Sequence, residues 1–161
     1  MKLEIENIFK FANFLYKFQQ VKRIMLATGE DRQENDAEHS YQLAMLSWYI
    51  LNGNELDLNL DLVIKYSLIH DLVEVYAGDT FAFEKNLEFK NSKQEREAEA
   101  LEQIKNEFPE FDNLYDLIKQ YGKKEDYESK FVYALDKVIA EMVNYLDGGR
   151  SSKKWNWTLE E

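Results

Sequence analysis

Apolar residues return at helical spacing along most of the chain and divide it into six stretches. In the first, Ile5, Ile8, Phe9, Ala12, Leu15, Phe18, Val21 and Ile24 share one side of a helix over residues 4–25, ended by Thr28-Gly29. A polar loop over 30–35 follows, with Asp36 as N-cap of a helix over 37–51 that is apolar on most sides. Asn52-Gly53-Asn54 is a turn signal. The third helix, over 60–76, carries Leu62, Val63, Tyr66, Ile69, Leu72 and Val73 and stops at Gly78. Residues 81–91 have no clear period and read as a loop, with a mobile flap as one reading. A fourth helix over 92–108 has a heavily charged outer face and is closed by Pro109. A short helix over 112–121 ends at Gly122. The last, over 126–147, aligns Val132, Leu135, Val138, Ile139, Met142 and Leu146 before Gly148-Gly149. In the tail, Trp155 and Trp157 are expected to dock on the body or on a second subunit, and Thr158 begins what resembles a short helix start.

The pattern predicts an all-α fold, a bundle of about six main helices. At 161 residues it is expected to be a single domain over 1–161, with its core over about 10–147 and a C-terminal tail over 148–161. Composition sharpens this. One Pro and six Gly are too few for a sandwich of tight turns. The absence of Cys excludes disulfides, thiol chemistry and a Cys-based zinc site, and fits a reducing cytoplasm. The N-terminus does not read as a signal peptide, and no apolar run is long enough to span a bilayer. A net charge of −11 argues against a nucleic-acid partner. A small phosphorylated substrate stays compatible if a metal and one or two basic side chains reverse the local field.

The chemistry concentrates in the run from Leu68 to Thr80. His70, Asp71 and Glu74 fall on neighbouring sides of about one helical turn amid Leu, Ile and Val. Burying such groups is costly unless they are paired or bind a metal. Asp136 borders the apolar stripe of the last helix, so it too needs a partner, either a cation on another helix or a metal. Each group has a plainer reading when taken alone. Arg23 can be a surface cation at a helix C-terminus. His39 can be a polar residue near a cap, and Asp79 a turn residue beside Gly78. Together, the chain's two histidines, His39 and His70, with Asp71 and Asp136 make a two-nitrogen, two-oxygen ligand set. It suits one divalent Mn, Co, Fe, Ni or Zn ion better than Mg and leaves coordination positions open. Such an ion lowers the pKa of a water and polarises an electrophile.

His39, the His70-Asp71 doublet and Asp136, in this order, resemble the HD-domain superfamily of metal-dependent phosphohydrolases. The runs Glu34-Asn35-Asp36-Ala37-Glu38-His39-Ser40 and His70 to Asp79, with Phe131 to Lys137, resemble its small 5′-deoxynucleotidase branch. The resemblance implies an all-helical fold and release of phosphate from nucleoside 5′-monophosphates, with deoxy forms preferred. It implies that His39, His70, Asp71 and Asp136 hold the metal and that Glu74 is the general acid/base. Asp79 would position water or sugar, and Arg23 would hold the phosphate. Arg32 competes with Arg23, because the spacing to His39 needs a one-residue adjustment. A homodimer is expected from the same resemblance. The alternatives are another reaction of the family, on a nucleoside triphosphate, cyclic nucleotide or dinucleotide, and a non-catalytic module that binds metal or nucleotide.

Overall fold

The structure is a computed structural model that describes residues 3–80 and 86–157. In chain order its elements are α1 (Ile5–Phe18), β1 (Lys22–Leu26), β2 (Gln33–Asn35), α2 (Asp36–Gly53), α3 (Leu60–Ile69), α4 (Glu74–Ala77), α5 (Leu87–Asn91), α6 (Lys93–Glu107), α7 (Asp112–Lys123), α8 (Tyr127–Leu146) and α9 (Arg150–Trp155). Six of the helices, α1, α2, α3, α6, α7 and α8, have ten or more residues, as the apolar pattern predicts. None of the described helices is long and apolar enough to cross a membrane.

The first predicted helix is corrected. It stops at Phe18, and residues 22–26 form a strand that pairs antiparallel with 33–35, so the last part of the expected polar loop is also strand. Apolar residues three apart suit a helix only where nothing competes for the backbone. Here β2 and α9 do. Ala27 N–H donates to Arg32 O at 2.9 Å, Leu26 N–H to Ser151 Oγ at 2.9 Å, and Trp155 Nε1 to Ile24 O at 2.9 Å. The ribbon turns through Gly29 at φ +75°, where a residue with a side chain would be strained. The tail thus docks on β1 through Trp155, and its last four residues lie outside those described.

The N-cap of α2 is Asn35, not Asp36. Asn35 Oδ1 accepts from Glu38 N–H at 3.0 Å, and Glu38 Oε2 accepts from Asn35 N–H at 3.1 Å, a reciprocal capping box. Asp36 becomes the first helical residue and is fully buried. The third predicted helix is also corrected, because α3 ends at Ile69. The next amides bond three residues back, Leu72 to Ile69 and Glu74 to Asp71, which tightens the chain into a turn before α4. No Gly or Pro marks this break in the sequence. Of the expected loop over 81–91, residues 87–91 form α5, and residues 81–85 lie outside those described.

The core gathers Phe14, Leu43, Val63, Tyr66, Leu72, Ile104, Phe108 and Val132 from most of the long helices. Burial of each such side chain contributes about 1.5–3 kcal/mol. Ser47 and Ser67, both fully buried, bring α2 and α3 close, with their hydroxyls 3.3 Å apart. α8 packs on both of these helices. The start of α2, the end of α3 and the middle of α8 are therefore held in one fixed arrangement.

Candidate metal centre

Three of the four expected ligands, His39, His70 and Asp136, form one cluster, and Asp71 touches it through His70 while forming a second acidic cluster with Asp36 and Glu74. His39 lies in the first turns of α2, His70 and Asp71 in the turn after α3, and Asp136 midway along α8. His39 Nε2 is 2.9 Å from Asp136 Oδ1, and His70 Nε2 is 2.9 Å from Asp71 Oδ2 and 3.9 Å from Asp136 Oδ1. Donor atoms of His39, His70 and Asp136 all lie within 4.8 Å of one another. The break after α3 aims His70. Its Nδ1–H donates to Ser67 O at 2.9 Å, one turn back, which leaves the Nε2 lone pair facing the cluster. That atom is buried, and although Asp71 Oδ2 is 2.9 Å away, the angle is too poor for a hydrogen bond.

Electrostatics follow burial and charge. Burial lowers His39, against the raising effect of Asp136. Burial works against charge on His70 as well, but Asp71 and Asp136 raise it above the ordinary imidazole value. Burial would raise both aspartates. His70 and Arg23 hold Asp71 far below the usual carboxylate range, and the hydrogen bond from His39 and the charge of His70 do the same for Asp136. Lys137 Nζ neutralises the outer oxygen of Asp136 at 2.8 Å.

Arg23 does not end a helix at the surface. It sits on β1 with a mostly buried side chain, and Nη1 donates to Asp71 Oδ2 at 2.8 Å and to Asp36 Oδ1 at 3.4 Å. Nη2 is 3.8 Å from Asp136 Oδ1, and Nε is 3.7 Å from Glu34 Oε2. Arg32 stays at the surface, held in a bidentate pair by Glu38 and by Glu30. Glu74, at the start of α4, is buried, and its Oε2 has no hydrogen-bond partner. Burial, reinforced by Asp71, Asp79 and Asp36, pushes it well above the ordinary range. Asp79 is half-buried and raised by burial, with Arg23 pulling the other way.

Two site residues escape the reading of the sequence. Asp36 has one oxygen on Arg23 and the other buried without a partner, and burial together with Asp71 pushes it up to about 7. Glu34 is buried between Arg23 Nε and His39 Nδ1, each 3.7 Å away. Both lie in the run Glu34 to Ser40 that carries the resemblance, but there Asp36 reads as an N-cap and Glu34 as part of a solvated loop, so neither stands out as a site residue.

A family model described as an HD domain matches residues 15–161. The chain belongs to the HD domain family. The human 5′-deoxynucleotidase HDDC2 is 32% identical over 142 residues, which cover 83% of this chain and 67% of that protein. The 5′-deoxynucleotidase hdd1 of Schizosaccharomyces pombe is 25% identical, with 94% of this chain and 80% of that protein covered. The crystal structure of a predicted metal-dependent phosphohydrolase from Magnetospirillum magnetotacticum superposes with a TM-score of 0.77 at 27% identity, covering 94% of this chain and 79% of that one. A conserved hypothetical protein from Pyrococcus furiosus shares the fold, with a TM-score of 0.66 at 23% identity and coverage of 94% and 88%.

The HD domain and its metal-dependent neighbour imply a divalent metal ion. The residues fit one. Adjacent donors on an ion with bonds of about 2.1 Å stand about 3 Å apart in octahedral geometry, which matches the two nitrogen–oxygen separations of 2.9 Å. The orphaned His70 Nε2 is the lone pair such an ion would use.

Proposed function

We propose that this HD-domain protein is a metal-dependent phosphomonoesterase that releases phosphate from deoxynucleoside 5′-monophosphates. His39, His70, Asp71 and Asp136 would hold one divalent first-row ion, Mn, Co, Fe, Ni or Zn, because imidazole nitrogens suit these better than Mg. The observation that carries this reading is the buried His70 Nε2, which faces the carboxylate of its neighbour Asp71 and that of Asp136 on α8 without a hydrogen bond of good geometry to either. When bound there, such an ion supplies Lewis acidity toward a phosphoryl oxygen and a lower proton affinity for a neighbouring water.

The chain's own groups do the rest. Arg23 carries a fixed positive charge beside the ligand carboxylates, and with Nη1 already bonded to Asp71 and Asp36 it would hold the phosphate through that charge and Nη2. Burial and three nearby carboxylates favour the protonated form of Glu74, and Oε2 is the atom from which that proton would reach the leaving alkoxide. Asp79, half-buried near Arg23, positions the sugar or the attacking water. Phosphoryl transfer asks mainly for such positioning and charge stabilisation.

We also read the chain as one domain working in the cytoplasm, in line with its lack of cysteine, and as a homodimer. Tyr41, Met45, Trp48 and Tyr49 on α2 and Val138, Met142 and Tyr145 on α8 are exposed apolar side chains on two helices that pack together. An apolar surface of this kind favours a second copy.

The test is phosphate release by the metal-loaded protein across a panel of ribo- and deoxynucleoside 5′-monophosphates. Turnover that is faster on the deoxy forms supports the reading. A protein that binds one ion per chain yet releases no phosphate from any of them overturns it.

A further inference from the structure

A groove of about 600 Å³ opens beside the metal centre, between the end of α1 and the turn around α4. It is open to solvent and is lined by Glu74 and Asp79 of the candidate site, by Lys17 and Lys22, and by Phe89 of α5. The volume falls within the usual range for small-molecule sites.

Phe89 is held from several sides. Arg96 of α6 stacks its guanidinium 3.7 Å from the centre of the Phe89 ring. Its remaining donors go to Phe89 O at 3.0 Å, to Ser92 Oγ at 3.2 Å, to Thr80 Oγ1 at 2.7 Å and to Ala77 O. Asn86 caps the start of α5 by accepting from Phe89 N–H at 3.1 Å. Arg96 therefore ties the ring, through its own backbone and through Thr80, to the segment that carries Glu74 and Asp79. One ring face is taken by the guanidinium, and the ring borders the groove.

We propose that this groove receives the base of the nucleotide, with Phe89 as the stacking surface and Arg96 as the residue that positions it. The proposal rests on the phosphomonoesterase reading above. The order of groups supports it. A phosphate at Arg23 and the ligand cluster leaves the sugar beside Glu74 and Asp79, and the groove then leads to an aromatic face. A planar heterocycle is the part of a nucleotide that pairs with such a face. Stacking reads the π surface and not the base edge, so the site tolerates different bases.

The experiment compares kcat/KM for deoxyadenosine 5′-monophosphate with that for 2-deoxyribose 5-phosphate, which lacks the base, in the metal-loaded wild type and in Phe89→Leu, Phe89→Ala, Phe89→Trp and Arg96→Ala. The expected result is a fall of about tenfold in the nucleotide-over-sugar preference in Phe89→Leu and Phe89→Ala, the equivalent of about 1.4 kcal/mol of stacking. Phe89→Trp restores the preference, and Arg96→Ala lowers it mainly through KM. Phe89→Leu keeps an apolar side chain of similar bulk, so folding is not at issue if Phe89→Ala fails. An unchanged preference in Phe89→Leu overturns the proposal. If the wild type hydrolyses neither ester, the phosphomonoesterase reading has failed, and calorimetric titration with deoxyadenosine decides the groove separately. Binding that weakens about tenfold in Phe89→Leu supports the stacking site, and no binding to the wild type overturns it.

Discussion

His39 and Asp136, ninety-seven residues apart in the chain, meet with Nε2 and Oδ1 2.9 Å apart. The contact ties α2 to α8 at the centre of the ligand cluster, and Asp136 binds outward to Lys137 on the other side. Removing the outward bond tests how far neighbouring groups tune the ligands. Lys137→Met is expected to leave the fold intact and, by removing a positive charge that competes for Asp136, to raise metal affinity by about twofold to fivefold, a small effect because the ammonium is largely exposed. Competition titration with a fluorescent chelator measures it, and an affinity equal to wild type would show that Lys137 does not matter to the centre.

Glu34 supports the same cluster from behind, between His39 Nδ1 and Arg23 Nε. Glu34→Gln keeps the shape and removes the charge. A loss of about 10–100-fold in metal affinity is expected, measured by the same titration. Thermal unfolding without metal is expected to change far less.

Arg23 is the cation among Asp71, Asp36, Asp136 and Glu34. Arg23→Ala leaves buried carboxylates without it and is expected to cost about 3–5 kcal/mol of stability in metal-free buffer. Mn²⁺ binding replaces part of the missing charge, so the ion should stabilise this variant more than the wild type. Urea unfolding with and without Mn²⁺ reads both effects, and equal stabilisation of the two proteins would contradict the account.

Glu74 is assigned the proton at the leaving oxygen, and its Oε2 has no other partner. Glu74→Gln should lower kcat by about 10²–10⁴-fold while elemental analysis still finds one ion per chain. Turnover equal to wild type would remove Glu74 from the mechanism.

Asp126 gives a pH signature away from the centre. It caps α8, with Oδ1 accepting from Ser129 N–H at 2.6 Å and Oδ2 from Tyr66 Oη at 3.0 Å. Burial would raise it, but these bonds hold it below the ordinary carboxylate value. A depressed folded pKa means that its contribution is fully present above the unfolded value, near 3.9, and is lost as pH falls through the lower folded value. Asp126→Ala should cost about 1 kcal/mol at pH 7. Asp126→Asn, which can still cap, should unfold in acid with a shallower pH dependence than the wild type below pH 4. Urea midpoints between pH 2 and 7 check both variants.

How much was legible in the sequence depends on the range over which each feature is decided. The six long helices follow from apolar spacing within a dozen residues, and most of their ends were read to within about two residues because Pro109 and Gly148-Gly149 stop a helix locally, while α2 and α7 run on through Asn52-Gly53 and Gly122 before they end. The break at His70 has no such marker. It depends on His70 Nδ1 bonding Ser67 O while its other nitrogen faces Asp71 and Asp136. The split of the first helix was likewise hidden, because residues 22–26 become a strand only where β2 and Trp155 reach them.

The sequence by itself determined the kinds of donor available, two imidazoles and a set of carboxylates, and the helices that carry most of them, because side-chain chemistry and helical periodicity are properties of short stretches. Only the tertiary structure decided that Arg23 turns inward from a strand, that Asn35 takes the cap and leaves Asp36 buried, and that Arg32 stays outside. Those outcomes turn on contacts between distant segments. A charged side chain is buried only where other parts of the fold bring it an opposite charge, and no local pattern records where that partner will be.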